Sequence, residues 1–274
     1  MKDRQFSLFC LAALVLIIVL RTIELVNVVD NTSGFFVDGQ ERVGYILSAV
    51  TLIIICGVSI FSIAFKSETT DIPKPSLFLG CAELMLGAAL ICEPFFGAVL
   101  PSVLPQLLVV LRQFSIILTG LVFIYFGISM LLTKLPRYEF LLVAIASWLL
   151  RLLVTFMCYT SMADITSNNF EILMIITILL FLTYHIKSLL RIGGDKYKTI
   201  SRVFCSAAFF MTGVCSLPPI IATIFFNYTR MQYSTDSVIT NLFLMIYIFT
   251  YMTAEKFAKK QTVPKISEGD NKII

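Results

Sequence analysis

Short polar segments divide the chain into long apolar runs, and this division constrains the fold more than any other feature of the sequence. Eight runs can be distinguished, at about residues 6–28, 43–65, 77–99, 106–132, 139–160, 170–190, 200–226 and 238–256. A helix of roughly 20 residues crosses the hydrocarbon core of a bilayer. The runs show no continuous β-barrel alternation, and a helix satisfies its own backbone in lipid. The sequence therefore predicts an all-α, polytopic membrane helical bundle with about eight transmembrane helices.

The composition agrees with lipid as the main solvent and partner of this chain. Hydrophobic residues make up 58% of the sequence and charged residues only 14%, whereas soluble domains carry about 25% charged residues. The formal net charge is +4, and the basic residues cluster in short segments between the runs. This distribution is typical of a membrane protein and unlike a nucleic-acid-binding stripe, so we expect no nucleic acid partner.

The loop charges predict the orientation. Most lysines and arginines outside the runs fall on one side, together with both termini. Loops on the other side contain Arg42 and Arg230 among the acids Asp30, Asp38, Glu41, Glu93, Asp164 and Asp236. By the positive-inside bias we expect both termini to be cytoplasmic, and we expect the membrane to be the plasma membrane. The first run has a basic start, but no clear A-x-A cleavage site follows it, so we expect an uncleaved first helix.

The runs form one transmembrane domain, residues 1–258, followed by a polar cytoplasmic tail, residues 259–274. The two halves of this domain, 1–135 and 136–258, also show a faint similarity. Cys81 precedes Pro94 by the spacing at which Cys205 precedes Pro218. A duplicated four-helix unit would give a parallel 4+4 repeat about an axis along the membrane normal. Chance similarity between apolar segments is the alternative explanation.

Three arginines lie well inside the runs, away from their ends, and the predicted topology places all of them toward the extracytoplasmic side. They are Arg21 in the first run, Arg112 in the fourth and Arg151 in the fifth. An arginine at the middle of a bilayer costs roughly 2.5–3.5 kcal/mol on insertion scales. Glu24 lies one helical turn after Arg21 and can neutralise it. The partners of Arg112 and Arg151 must come from other helices, water, lipid phosphates or a ligand.

These arginines predict an outward-opening polar pocket. Its expected lining residues are Arg21, Glu24, Arg112, Arg151 and Trp148, which precedes Arg151 by three positions and can stack on it. Glu93 is near enough to the same side to supply some neutralisation. Excess guanidinium charge would suit a carboxylate or phosphate. Two structural interpretations compete with the pocket: Arg112 snorkels to headgroups, and Arg21–Glu24 locks the first helix to a neighbour.

Three other features inside the runs have mechanistic interest. Glu83 lies in the cytoplasmic half of the third run, where a carboxyl group is a candidate for proton or ion handling or for a hydrogen bond between helices. His185 is the only histidine, so a multi-histidine metal site is excluded, and we expect it at the cytoplasmic interface. The pair Pro218-Pro219 is expected near a helix end.

No nucleotide-binding, zinc-protease, hydrolase or dinucleotide motif occurs in the sequence, which implies no cofactor and favours a non-enzymatic protein over an intramembrane enzyme. Two functions remain. In the first, the protein binds or transports a small anionic or zwitterionic solute through the arginine-lined cavity. In the second, it is a non-transporting sensor or assembly protein with structural intramembrane charges. The basic segment Lys187–Arg202 and the C-terminal tail could then contact anionic inner-leaflet lipid or a cytoplasmic protein, although topology alone also explains their lysines.

Overall fold

The protein is an all-helical bundle. A computed structural model describes residues 2–30, 35–64, 76–96, 106–134, 136–159, 166–190, 195–227 and 238–257. Within these ranges the chain forms eight α-helices, whose bounds are α1 Lys2–Asn27, α2 Glu41–Phe61, α3 Leu77–Phe96, α4 Gln106–Leu131, α5 Leu141–Tyr159, α6 Thr166–Leu189, α7 Asp195–Phe226 and α8 Val238–Phe257. Each helix corresponds to one apolar run, so the predicted fold class is confirmed.

Seven of these helices, α1 to α7, are long and apolar enough to cross a membrane, and α8 has a shorter apolar part, Val238–Thr253. Large apolar side chains point away from the bundle along most helices; Phe78 and Leu107, for example, are exposed at 74% and 78%. Such exposure would be unfavourable in water but suits acyl chains. The protein is therefore an integral membrane protein. The third run, whose two acids complicate its interpretation, is a helix like the others.

Neighbouring helices run in opposite directions. Phe9, early in α1, lies 5.4 Å ring to ring from Phe61, at the end of α2. Glu24, late in α1, is bonded to Ser48, early in α2. Continued through the chain, this alternation brings the ends of α1, α3, α5 and α7 together with the starts of α2, α4, α6 and α8. We call this side the arginine end and the other side the opposite end.

Helices α3 and α4 pack backbone to backbone, and glycines make their approach possible. A methyl group on Gly87 would lie 2.7 Å from the backbone oxygen of Gly120, and one on Gly120 would lie 2.8 Å from that of Gly87. About two helical turns along the same contact, a methyl group on Gly127 would lie 2.8 Å from the backbone oxygen of Gly80. Small residues let membrane helices pack backbone to backbone. The contact fixes α3 and α4 as a rigid pair that carries acids on one helix and an arginine on the other.

The structure places one proline pair differently from the expectation. Helix α7 continues through Pro218-Pro219 and ends at Phe226, so both prolines are inside the helix. A proline removes one backbone donor and frees a carbonyl. In lipid an early helix end would leave still more backbone groups unsatisfied, and a bent but continuous helix is the less costly solution.

Candidate functional site

At the arginine end, Arg21 and Glu24 form a buried ion pair within α1. Arg21 Nη1 lies 2.7 Å from Glu24 Oε1, and the two residues are 3% and 0% exposed. The hydroxyl of Ser48 in α2 donates to the same oxygen at 2.5 Å. On its other side, the Arg21 guanidinium lies 4.3 Å from the ring centroid of Phe170 in α6. The pair thus joins α1 to both α2 and α6, and it faces the bundle interior.

The second polar group lies between α3, α4 and α5. Arg151 Nη2 donates to Glu93 Oε1 at 3.0 Å, and Arg112 Nη2 lies 4.0 Å from the same oxygen. One carboxylate oxygen therefore attracts two guanidinium groups from two different helices. The sequence correctly required partners from other helices for both arginines, because neither has an acid on its own helical face.

Burial makes this Arg–Glu–Arg group electrostatically strong. Arg151 and Arg112 are 2% and 5% exposed, and Glu93 is also buried. The predicted stacking partner is confirmed, because the Arg151 guanidinium lies 4.7 Å from the Trp148 ring centroid. In such low-dielectric surroundings each ion pair is much stronger than in water. The exposure of Arg112 also disagrees with the interpretation that its side chain snorkels to the headgroups.

Other buried polar residues occur near the starts and ends of helices at the arginine end. Among the described residues they include Glu171 and Asn168 in α6, Thr155 in α5, and Thr240 and Asn241 in α8. Glu171 directly follows Phe170, the ring on which Arg21 packs. Three buried glutamates, Glu24, Glu93 and Glu171, therefore accompany the three buried arginines at this end. The excess positive charge expected from the sequence is balanced in formal terms.

Sequence reasoning missed several members of these groups. Glu93 was expected nearby but was not counted as a site residue, and Ser48, Phe170 and Glu171 were not considered. Glu171 offered a usable signal, since an acid at the arginine end of an apolar run is costly unless it is paired. Ser48 and Phe170 offered none, because a serine or phenylalanine is ordinary in a membrane helix. The inclusion of all five predicted residues in one solute-accessible pocket stays a prediction.

Glu83 is remote from the arginines. It follows Leu77, the first residue of α3, by six positions and precedes Glu93 by ten, which corresponds to about 15 Å between the two acids along the helix axis. The residue is 3% exposed. Its predicted position in the half of the bundle away from the arginines agrees with the structure, while its predicted role in proton or ion handling is untested.

His185 is buried within the bundle, which its position in the sequence did not predict. The sequence suggested an interfacial residue, but the imidazole is buried between aromatic side chains. Its ring stacks on Phe181 at 5.2 Å and meets Tyr251 edge to face at 4.5 Å, centroid to centroid. Aromatic neighbours on α6 and α8 thus remove the histidine from the surface, which a position beside a basic segment did not reveal.

Part of the basic segment at the opposite end is described. The Lys187 ammonium lies 5.6 Å from the Tyr184 ring and 5.5 Å from the Tyr197 ring. These cation–π contacts join the end of α6 to the start of α7. Residues 191–194 and the predicted tail, 259–274, lie outside the described residues. A contact of this segment with anionic lipid or with a cytoplasmic protein stays a prediction.

Comparison with family sequence models, curated proteins and solved structures gives no match to this chain. The chemistry of the arginine end must therefore be interpreted from its own residues. Two features are relevant to function. One is Glu93, the acid shared by arginines of two other helices, and the other is the Arg21–Glu24 ion pair of α1, which contacts α2 and α6.

Proposed function

We propose that the protein binds a small anionic or zwitterionic solute at the arginine end, between α3, α4 and α5. The observation that supports this proposal is the sharing of Glu93 Oε1 by Arg151, at 3.0 Å, and Arg112, at 4.0 Å. Guanidinium groups bind carboxylates and phosphates in a bidentate manner. A solute carboxylate or phosphate inserted between the two arginines would first replace Glu93 as the partner of Arg112, because the 4.0 Å contact of Arg112 with Glu93 is the weaker of the two.

The charge balance of the whole arginine end favours a zwitterion over a simple anion. The Arg151–Glu93–Arg112 group alone has one arginine in excess, but among the described residues this end holds three buried arginines and three buried glutamates, so a lone anion would leave a net negative charge in low dielectric. A zwitterionic solute adds no net charge: its carboxylate pairs with an arginine and its ammonium with the glutamate that the arginine releases. Trp148 holds the Arg151 guanidinium plane from one side, so less rotational freedom is lost on binding. An amino-carboxylate solute fits this description.

Under the positive-inside orientation this site is on the extracytoplasmic side, and translocation would carry the solute toward the opposite end of the bundle. Sites near the interior of a helical bundle, formed by residues of several helices, suit alternating access between two membrane faces. We therefore propose that the protein transports the solute that it binds at the arginine end.

A second candidate is a non-transporting sensor or assembly protein. It is favoured by the pairing of Arg21, Arg112 and Arg151, each of which has a glutamate within salt-bridge distance. A fully paired network can hold helices together without a ligand. In this case Lys187 and its neighbours at the opposite end would contact anionic lipid headgroups or a cytoplasmic protein.

Thermal unfolding of the full chain in lipid nanodiscs distinguishes the two candidates. The probes are glycine, succinate and inorganic phosphate, each compared with sodium chloride at matched ionic strength. If the solute site exists, at least one probe raises the unfolding temperature of the wild type, since a ligand at a hundredfold excess over its Kd stabilises the folded state by about 2.7 kcal/mol.

The decisive variant is Arg151→Lys, which keeps the positive charge but loses the planar guanidinium group that binds a carboxylate in a bidentate manner. We expect the probe-induced shift to be lost in this variant and retained in Arg42→Lys, whose arginine is exposed at the same end. If no probe shifts the wild type, and Arg151→Lys changes only the unfolding temperature without ligand, the solute site is refuted and the structural role is favoured.

A further inference from the structure

A second polar group lies in the half of the bundle away from the arginines, around Glu83. This carboxyl is 3% exposed, and its Oε2 atom has no hydrogen-bond partner among the described residues. The ion pairs found within the described ranges at the arginine end do not include it. It lies on α3 between Gly80 and Gly87, the glycines that bring α3 against α4. A bare carboxylate in this position would carry an uncompensated buried charge.

Two tyrosines approach Glu83 from other parts of the fold. Tyr138, in the short helical turn Tyr138–Phe140 before α5, packs on Phe126 of α4, and Tyr247 of α8 packs on Phe123 of α4. Both rings therefore lie at the level of Glu83, because Gly80 and Gly87 on either side of it oppose Gly127 and Gly120 of α4. The Tyr138 hydroxyl is itself buried without a hydrogen-bond partner in the described structure. The acid and one of the two phenols thus each carry a buried oxygen atom that lacks, among the described residues, the positive or donor partner that buried oxygens normally have.

Aromatic rings of α4 pack against both tyrosines. Phe123 of α4 lies 5.3 Å from the Tyr247 ring, and Phe126 lies 6.3 Å from the Tyr138 ring, centroid to centroid. Among the described residues, the titratable groups that interact within this set are Glu83, Tyr138, Tyr247 and Cys205, and none of them is a cation. Arg137 precedes Tyr138 in the chain but is exposed. Within the described residues the surroundings therefore offer oxygen lone pairs and aromatic faces to a positive charge and no buried counter-ion.

We propose that Glu83, Tyr138 and Tyr247 form a binding site for one monovalent cation, either a proton or an alkali metal ion such as Na⁺. A single positive charge neutralises the carboxylate, and the phenolic oxygens can complete its coordination or hydrogen bonding. Within the described residues no group of three or more His, Cys, Asp and Glu side chains gathers to hold a metal. One acid with two phenols suits a single charge better than a divalent ion.

This site is independent of the solute site. About 15 Å of helix α3 separates Glu83 from Glu93, and the ligands of the two sites differ: a zwitterionic or anionic solute at one and a monovalent cation at the other. Glycine, succinate and phosphate test the arginine end, and alkali ions and protons test the Glu83 group, so either proposal can fail while the other stands.

Thermal unfolding of the full chain in nanodiscs, with cations as the variable, tests the proposal. The wild type is compared in sodium, potassium and choline chloride at equal ionic strength, at neutral and at mildly acidic pH. An alkali ion site raises the unfolding temperature in sodium or potassium relative to choline, and a proton site raises it at acidic pH in all three salts. We expect one of these shifts in the wild type and its loss in Glu83→Gln, which mimics the neutral acid.

Two further variants keep the test decisive. Tyr138→Phe preserves the ring and removes the hydroxyl, so the cation-dependent shift should shrink even if Glu83→Gln fails to fold. Glu139→Gln removes an exposed acid next to Tyr138 and should behave as the wild type. For a proton site, infrared difference spectra should also show a protonated carboxyl band that Glu83→Gln lacks. A wild type insensitive to both cation and pH, or a shift that Glu83→Gln and Tyr138→Phe leave unchanged, overturns the proposal.

Discussion

At the residue scale, pairing geometry determines what a buried arginine can do. Arg21 has an acid on its own helix at 2.7 Å, and a serine from α2 bonds to that same acid. Arg151 and Arg112 instead depend on Glu93 of a third helix, at 3.0 and 4.0 Å. The first arrangement forms as soon as α1 is helical. The second forms only when three helices have packed, and any movement between α4 and α3 lengthens its weaker contact.

At this scale, the variant Glu93→Gln distinguishes binding of an anion from binding of a zwitterion. The substitution leaves two buried guanidinium groups without their shared carboxylate, and we expect the protein to lose about 3 kcal/mol of stability. Because the arginines are then available, phosphate should bind more tightly than to the wild type. Glycine should bind more weakly, since its ammonium group loses its acceptor.

Titration of wild type and Glu93→Gln with both probes, followed by thermal unfolding in nanodiscs, measures these changes. Glu41→Gln, an exposed acid at the start of α2, is the matched control. Equal weakening of phosphate and glycine in Glu93→Gln would contradict the assignment of Glu93 as the group that exchanges with the solute.

At the element scale, the limits of the apolar runs predicted the limits of the helices closely. A segment that crosses a bilayer must be apolar along the whole length of its helix, so the apolar run and the helix share their ends. The sequence was less informative about which helix faces which. The glycines spaced by seven on α3 and on α4 were a readable signal of close packing, yet their partnership required the structure. The burial of His185 was not predicted for a related reason, because it depends on the packing of Tyr251 from α8 as well as of Phe181 from its own helix.

The close contact of α3 and α4 predicts a strong dependence on Gly87. A methyl group there would lie 2.7 Å from the Gly120 backbone oxygen and 2.9 Å from the Ile124 backbone nitrogen, so Gly87→Ala must push the helices apart. We expect a loss of about 1–3 kcal/mol, typical of overpacking. Because α3 carries Glu93 and α4 carries Arg112, solute-induced stabilisation should also decrease.

Gly57→Ala is the control for this prediction, since nothing lies within 4 Å of a methyl group at Gly57. In a helix, alanine is favoured over glycine by about 1 kcal/mol, so this variant should unfold at or above the wild-type temperature. If Gly87→Ala and Gly57→Ala unfold at the same temperature, the glycines do not determine the α3–α4 distance.

At the scale of the whole molecule, the bundle has two chemically different ends. The arginine end holds buried ion pairs, and the other half holds a carboxyl with aromatic and phenolic neighbours. The proposed 4+4 repeat predicts that the halves superimpose, and the burial of Arg21 and Arg151 is compatible with it. Cys81 is exposed, however, whereas its proposed equivalent Cys205 is buried, so the repeat stays a prediction.

The orientation of the bundle can be tested with single cysteines. Asp38→Cys, between α1 and α2, reports on the arginine end, and Lys134→Cys, between α4 and α5, reports on the opposite end; both positions are exposed. Under the positive-inside topology, a membrane-impermeant maleimide labels the first variant on intact cells. It should label the second only after permeabilisation. The wild type measures the background from the native cysteines, and the reverse pattern would place the arginines on the cytoplasmic side.

The sequence by itself determined the solvent and the helices, because hydropathy and length act locally along the chain. It also determined that Arg112 and Arg151 needed partners from elsewhere. Only the tertiary structure decided that Glu93 serves both arginines, that Ser48 and Phe170 hold the Arg21–Glu24 pair, and that Tyr138 and Tyr247 approach Glu83. These contacts join residues far apart in sequence, and the rotation of each helix about its own axis, which is set by packing against its neighbours, determines which residues meet.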